Sequence, residues 1–231
     1  MRVTNPGRGA GLLYLTLVIL GVFSLLYVPG KLIVPDNPAA TASNILASEM
    51  LYRLSIVSGL MSIVVFIFLA RALYRLLHEV SEAHASLMVI LVLISVALGF
   101  ALTVNDIAAL VVLRNADLLA VFTQPQREAL AMLFLRLSAE GILVAEILWG
   151  LWLFPFGLLV MRANFLPSIL GVLLILNGVA YVVSSLVGLL LPAYADVVSR
   201  IALIPMLGEI WIMLWLLIKG ATVRLPAPAA A

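Results

Sequence analysis

The chain has 231 residues, 65% of them hydrophobic and 10% charged, with a mean hydropathy of +1.25. Soluble domains are roughly half apolar and about a quarter charged, so this composition excludes a water-soluble globule and implies an integral membrane protein. A net charge of +2 is too even for a nucleic-acid binder, and the absence of cysteine removes disulfides, thiolate nucleophiles and Cys-bound metals.

A membrane helix needs about 20 mostly apolar residues. Six stretches qualify: approximately Gly11–Val28, Ile45–Leu69, Ser86–Leu110, Met132–Leu159, Ser168–Leu191 and Val197–Ile218. Apolar runs of this length are not the alternating strands of a membrane barrel. The expected fold is therefore all-α, a single six-helix transmembrane domain over residues 1–231.

Lys and Arg in the flanks set the orientation. Arg2, Arg8, Arg71, Arg75, Arg162, Lys219 and Arg224 collect on one side, against Lys31, Arg114, Arg127 and Arg200 on the other. Both termini are expected to be cytoplasmic. The first span resembles a signal peptide in its charged start, but its apolar run is longer than a usual signal core, so it reads as a retained helix. The longest outer segments, Gly30–Asn44 and Arg114–Glu128, carry prolines and read as ordered turns or short interfacial pieces. Trp149, Trp152, Trp211 and Trp215 lie deep in their spans and read as lining the bundle interior.

Small residues mark where membrane helices approach closely. Ser55, Ser58 and Ser62 form such a stripe on the second helix, Ser95, Gly99 and Thr103 on the third, and Gly171, Gly178 and Ser185 on the fifth. These stripes read as helix packing into one bundle.

Ionisable residues inside a span are the strongest pointer to function, because each costs about 2.5–3.5 kcal/mol at a helix centre on insertion scales. Glu209 lies mid-span between Arg200 and Lys219, and Pro205 leaves the Ile201 carbonyl without its helical donor. A broken helix beside a mid-membrane carboxylate is the pattern of an ion or substrate site. Glu49 and Arg53 share a face of the second helix, and Arg136 and Glu140 repeat the spacing on the fourth. Either arginine is a candidate partner for Glu209. Asn105 and Asp106 lie near the outer end of the third helix, Asn177 within the fifth, and Glu146 deeper along the fourth. Acids outnumber arginines here, which calls for a protonated carboxyl, a bound cation or access for water. The candidate cluster is Glu209, Arg53, Arg136, Glu140, Glu146, Glu49, Asp106 and Asn105. A structural ion-pair network fixing helix register is the competing interpretation.

Other motifs are weaker. His78 to His84 is a near miss to the metalloprotease helix, with Glu82 where the second His belongs, and reads as a solvated turn. Both histidines in one link exclude a haem held between facing helices, and lysines only at span ends exclude a mid-membrane Schiff base. There is no phosphate-binding loop, nucleophile elbow or dinucleotide fingerprint.

Asn44–Arg53, Trp149–Val160, Phe165–Ile175 and Leu207–Gly220, with the opening Gly11–Val34, resemble a bacterial family of small membrane proteins. That family is catalogued as domain of unknown function number forty-three eighty-six. The resemblance implies a bacterial source and six helices, and carries no activity.

The expected function is binding or transport of a small solute or ion, coupled to a proton on Glu209. In that scheme Arg53 and Arg136 act as counter-charges, Glu140 and Glu146 complete the relay, and the second and fourth helices flank the sixth around a polar centre open to the outside. No catalytic residue, metal or cofactor is assigned. The alternatives are a membrane-embedded enzyme acting on a lipid-like substrate and a non-catalytic accessory or sensor subunit. The expected partners are the lipid bilayer, a small solute or proton, and a second copy or partner membrane protein, with no nucleic acid. The expected location is the bacterial inner (plasma) membrane.

Overall fold

Long apolar runs have no way to satisfy their backbone in lipid except by helix, and the computed structural model is 86% helix, with no strand among the described residues, 5–115, 117 and 119–221. Arg2 and Arg224, counted above for orientation, lie outside the described residues.

The first spanning segment opens with α1 (Pro6–Val22), capped by Asn5, whose side chain accepts from the Arg8 amide at 3.3 Å. It passes through a π-helical turn (Phe23–Tyr27) into α2 (Val28–Leu32). Pro29 has no N–H, and the helix widens over the turn that precedes it. A short α3 (Pro38–Ala47), capped by Asn37, follows. The second expected span therefore starts at α4 (Glu49–Leu77) and not at Ile45, because the chain bends at Ser48. The third is α5 (Glu82–Arg114). The fourth joins α6 (Gln124–Leu151) to α7 (Leu153–Arg162), and the fifth is α8 (Ser168–Leu190). These make five helical segments long and apolar enough to cross a membrane.

The sixth expected span, Val197–Ile218, is not one helix. It is divided at Leu207 into α9 (Ala195–Met206) and α10 (Gly208–Ile218), just after Pro205. Neither piece alone spans a hydrocarbon core about 30 Å thick, since 12 residues rise only about 18 Å.

Each segment packs on the next in the chain, and α10 returns to α1, closing a ring of neighbours. The small-residue stripes lie at these contacts. Ser55 and Ser58 donate to the carbonyls of Ser24 and Leu20 on the first segment. Gly171 meets Gly157, Gly178 meets Gly150, and Ser185 donates to the Leu143 carbonyl. At Gly178 an added Cβ would stand 2.8 Å from the Gly150 oxygen, so backbone presses on backbone along α6, α7 and α8. Gly7 donates to the Ala221 carbonyl and ties the two described ends together at one end of the bundle.

Two apolar clusters fill the interior. The larger centres on Trp152, which is 2% exposed, stacked on Phe156 at 5.4 Å and edge-on to Phe66 at 5.2 Å. The smaller gathers Val28, Ile45, Tyr52, Leu110 and Leu135 at the opposite end.

Candidate functional site

Depth along the helices brings together three polar residues from distant parts of the chain. Counted from the end where the described termini meet, Tyr14 lies about 12 Å along α1, Asn177 about 14 Å along α8 and Glu209 about 14 Å along α10. All three lie at nearly the same depth along their helices, and they are joined by hydrogen bonds through Glu209. The Tyr14 hydroxyl donates to Glu209 Oε2, and Asn177 Nδ2 donates to Glu209 Oε1 at 2.9 Å. Tyr14 and Asn177 are fully buried, whereas Glu209 keeps partial exposure.

The contact has a local origin. Pro205 lies in the last turn of α9, and α10 restarts at Gly208, which lies so close to α8 that an added Cβ would stand 2.6 Å from the Leu173 carbonyl oxygen. A side chain at this position would hold the helices apart. Its absence lets Glu209, the next residue, reach Asn177.

No arginine or lysine pairs with Glu209 among the described residues. Arg53 binds Glu49 at 2.7 Å, and Arg114 holds the other oxygen of the same carboxylate, also at 2.7 Å. Arg136 pairs with Asp36, not with Glu140 four residues on. Glu140 is exposed and lies about 33 Å of helix from Arg162, near the far interface. The Glu49–Arg53–Arg114 and Asp36–Arg136 pairs are surface clamps at the end opposite the termini. Asp106 and Asn105 are half-buried nearer that end, where the Tyr52 hydroxyl donates to the Asp106 carbonyl at 2.9 Å.

The expected polar centre flanked by the second, fourth and sixth helices is also corrected. α10 packs on α1 and α8, and the Trp152 cluster occupies the interior beside them. Of the eight candidate residues, only Glu209 lies in the Tyr14–Asn177 group. Glu146 lies on α6, with its Oε2 buried and without a partner. Trp211 is 57% exposed and faces outward, against the expectation of an interior position, while Trp149 meets Tyr181 edge-on at 6.1 Å.

Buried polar atoms normally find partners. Among the described residues, Glu146 Oε2, Asn177 Oδ1, Ser184 Oγ and Trp215 Nε1 do not. Sequence reasoning missed Tyr14 and left Asn177 outside the cluster. Depth counted from the same end of each span would have placed Tyr14 and Asn177 level with Glu209.

The family described as Domain of unknown function (DUF4386) matches residues 9–220, and the chain belongs to it. No curated protein and no solved structure matches the chain.

Proposed function

We propose that this member of the DUF4386 family binds a small solute or ion within the bilayer and carries a proton on Glu209. One observation supports this most: a mid-membrane carboxyl is held by two neutral groups, Tyr14 and Asn177, with no cationic partner among the described residues. A permanent ion pair would lock the carboxylate in its charged form. A hydroxyl and an amide do not, because each can donate or accept. When Glu209 is ionised, Tyr14 and Asn177 Nδ2 donate to it. When it is neutral, a turn of the Asn177 amide presents Oδ1 to the carboxyl hydrogen.

In this scheme the chain is one six-helix domain of a bacterial cell membrane with both termini cytoplasmic, the α9–α10 pair forming the sixth crossing. A broken helix at such a crossing is how membrane proteins expose backbone and side-chain polar groups to a ligand at mid-depth. A second copy or a partner membrane protein would complete a transporter of this size.

The test is infrared difference spectroscopy of the reconstituted protein between pH 5 and pH 8, wild type against Glu209→Gln. Loss of a titrating carboxyl band in the variant supports the assignment. A titrating band unaffected by the substitution, or no titrating band in the wild type, overturns it. In that event the accessory-subunit interpretation takes its place.

A further inference from the structure

Two neighbouring helices turn faces of the same spacing toward one groove. On α4, Ile67, Ala70, Arg71 and Tyr74 recur at steps of three and four residues, which puts them on one helix face. On α5, Ser86, Val89, Ile90 and Leu93 repeat that spacing. Together they line a groove of about 470 Å3, within the roughly 300–1,000 Å3 of ordinary ligand sites. Tyr74 lies just before the end of α4 and Ser86 just after the start of α5, so both stand beside the link that joins the helices. Ile67 and Leu93 lie two turns further along, about 10 Å away. One end of the groove is therefore polar and the other apolar. Ile90 and Leu93 are exposed along its side, so the groove opens outward from the bundle.

The polar end lies at the depth of a bilayer surface. Ser55 and Ser58 bond to Ser24 and Leu20, which sets α4 antiparallel to α1 and brings Arg71 level with the start of α1. Arg71 is exposed and takes part in none of the ion pairs among the described residues, which join Glu49 to Arg53 and Arg114 and Asp36 to Arg136. Its guanidinium offers a positive charge and a fork of donors that suits a phosphate. The hydroxyls of Tyr74 and Ser86, in the same groove, are further donors. Beyond Arg71 the lining is apolar, so the groove complements a molecule with an anionic head and an apolar tail. Basic pockets between membrane helices take anionic lipid head groups for this reason.

We infer that the groove takes an anionic phospholipid from the leaflet on this side of the bundle. Arg71, Tyr74 and Ser86 hold its phosphate, and one acyl chain lies along Ile67, Ala70, Ile90 and Leu93. Those apolar walls meet hydrocarbon whichever lipid is present, so selectivity comes from the head group. The inference goes beyond the proposed function and does not rest on Glu209.

The experiment titrates the full chain in neutral detergent with dioleoylphosphatidylglycerol or with zwitterionic dioleoylphosphatidylcholine, and counts bound lipid by native mass spectrometry. The wild type should bind the anionic lipid at least about fivefold more tightly, the scale of one arginine beside a charged head group. Arg71→Gln should remove that preference, whereas Lys31→Gln, exposed at the opposite end of the bundle, should keep it. Tyr74→Phe keeps the ring stacked on His78 at 5.4 Å and should weaken the anionic lipid about twofold or more through the lost donor. Ile90→Trp, at an exposed wall of the groove, should weaken both lipids. A melting transition for each variant confirms that it is folded. Equal binding of the two lipids by the wild type, a preference that survives Arg71→Gln, or lipid binding unaffected by Ile90→Trp overturns the inference. Displacement of the lipid by an equal concentration of glycerol phosphate also overturns it, since the site would then recognise a free phosphate.

Discussion

Asn177 and Glu209 stand 32 residues apart and meet at 2.9 Å, the amide nitrogen giving its hydrogen to the carboxylate while the amide oxygen goes without a partner. That oxygen is one of four buried side-chain polar atoms without a partner among the described residues. A buried acceptor left open costs on the order of 1–3 kcal/mol.

Tyr14 contributes its ring to the Trp152 cluster, at 6.4 Å between centroids, and its hydroxyl to Glu209. Tyr14→Phe keeps the ring and removes the donor. It should lower stability by about 1–3 kcal/mol, seen as a reduced Tm in detergent. In the Glu209→Gln background the same substitution should cost less, since the charged acceptor is gone. Equal losses in both backgrounds would show that the hydroxyl acts on something else.

The melting temperature itself should report the proton. Stability varies with pH wherever a group binds protons differently in the folded and unfolded states. Between pH 5 and pH 8 the wild-type Tm should change with a component that Glu209→Gln removes. Curves of identical shape for the two proteins would exclude Glu209 as the titrating group in that window.

Gly178 and Gly9 make a matched pair of glycines. The first faces the Gly150 carbonyl oxygen, while nothing lies within 4 Å of a Cβ added at the second. Gly178→Ala should destabilise by about 1–3 kcal/mol through overpacking against backbone. Gly9→Ala, in α1, should be neutral or stabilise by up to about 1 kcal/mol. Thermal melts of the two single variants decide it. Equal behaviour would mean that the α6–α8 crossing is not as close as described.

Trp152→Ala should cost about 3–5 kcal/mol, as large aromatic truncations in packed cores do. Arg136→Ala, by contrast, removes only an exposed pair with Asp36 and should barely move the Tm. A large loss for Arg136→Ala would mean that its charge has a buried partner, contrary to the geometry.

Most of the fold was legible in the chain because a bilayer leaves few choices. A run of apolar residues of sufficient length must become a helix to satisfy its backbone, whichever neighbour it meets. The break near Pro205 was legible for an equally local reason, the missing N–H. The small-residue stripes on the second and fifth helices mark real contact faces, since close approach needs small side chains whatever the partner.

Pairing of the charges was decided by the tertiary structure. Arg136 and Glu140 have helical spacing that permits a bond, yet Arg136 turns to Asp36, a hundred residues earlier, because the turn before α3 brings that carboxylate alongside the middle of α6. Glu209 announced itself as a buried acid, but its partners come from α1 and α8. Which helices adjoin α10 depends on how the ring of helices closes, and that is a property of packing across the whole bundle. Local sequence determined that a carboxylate would stand within an apolar helix just past a break. Only the closed ring decided that a tyrosine and an asparagine, and no arginine among the described residues, would hold it.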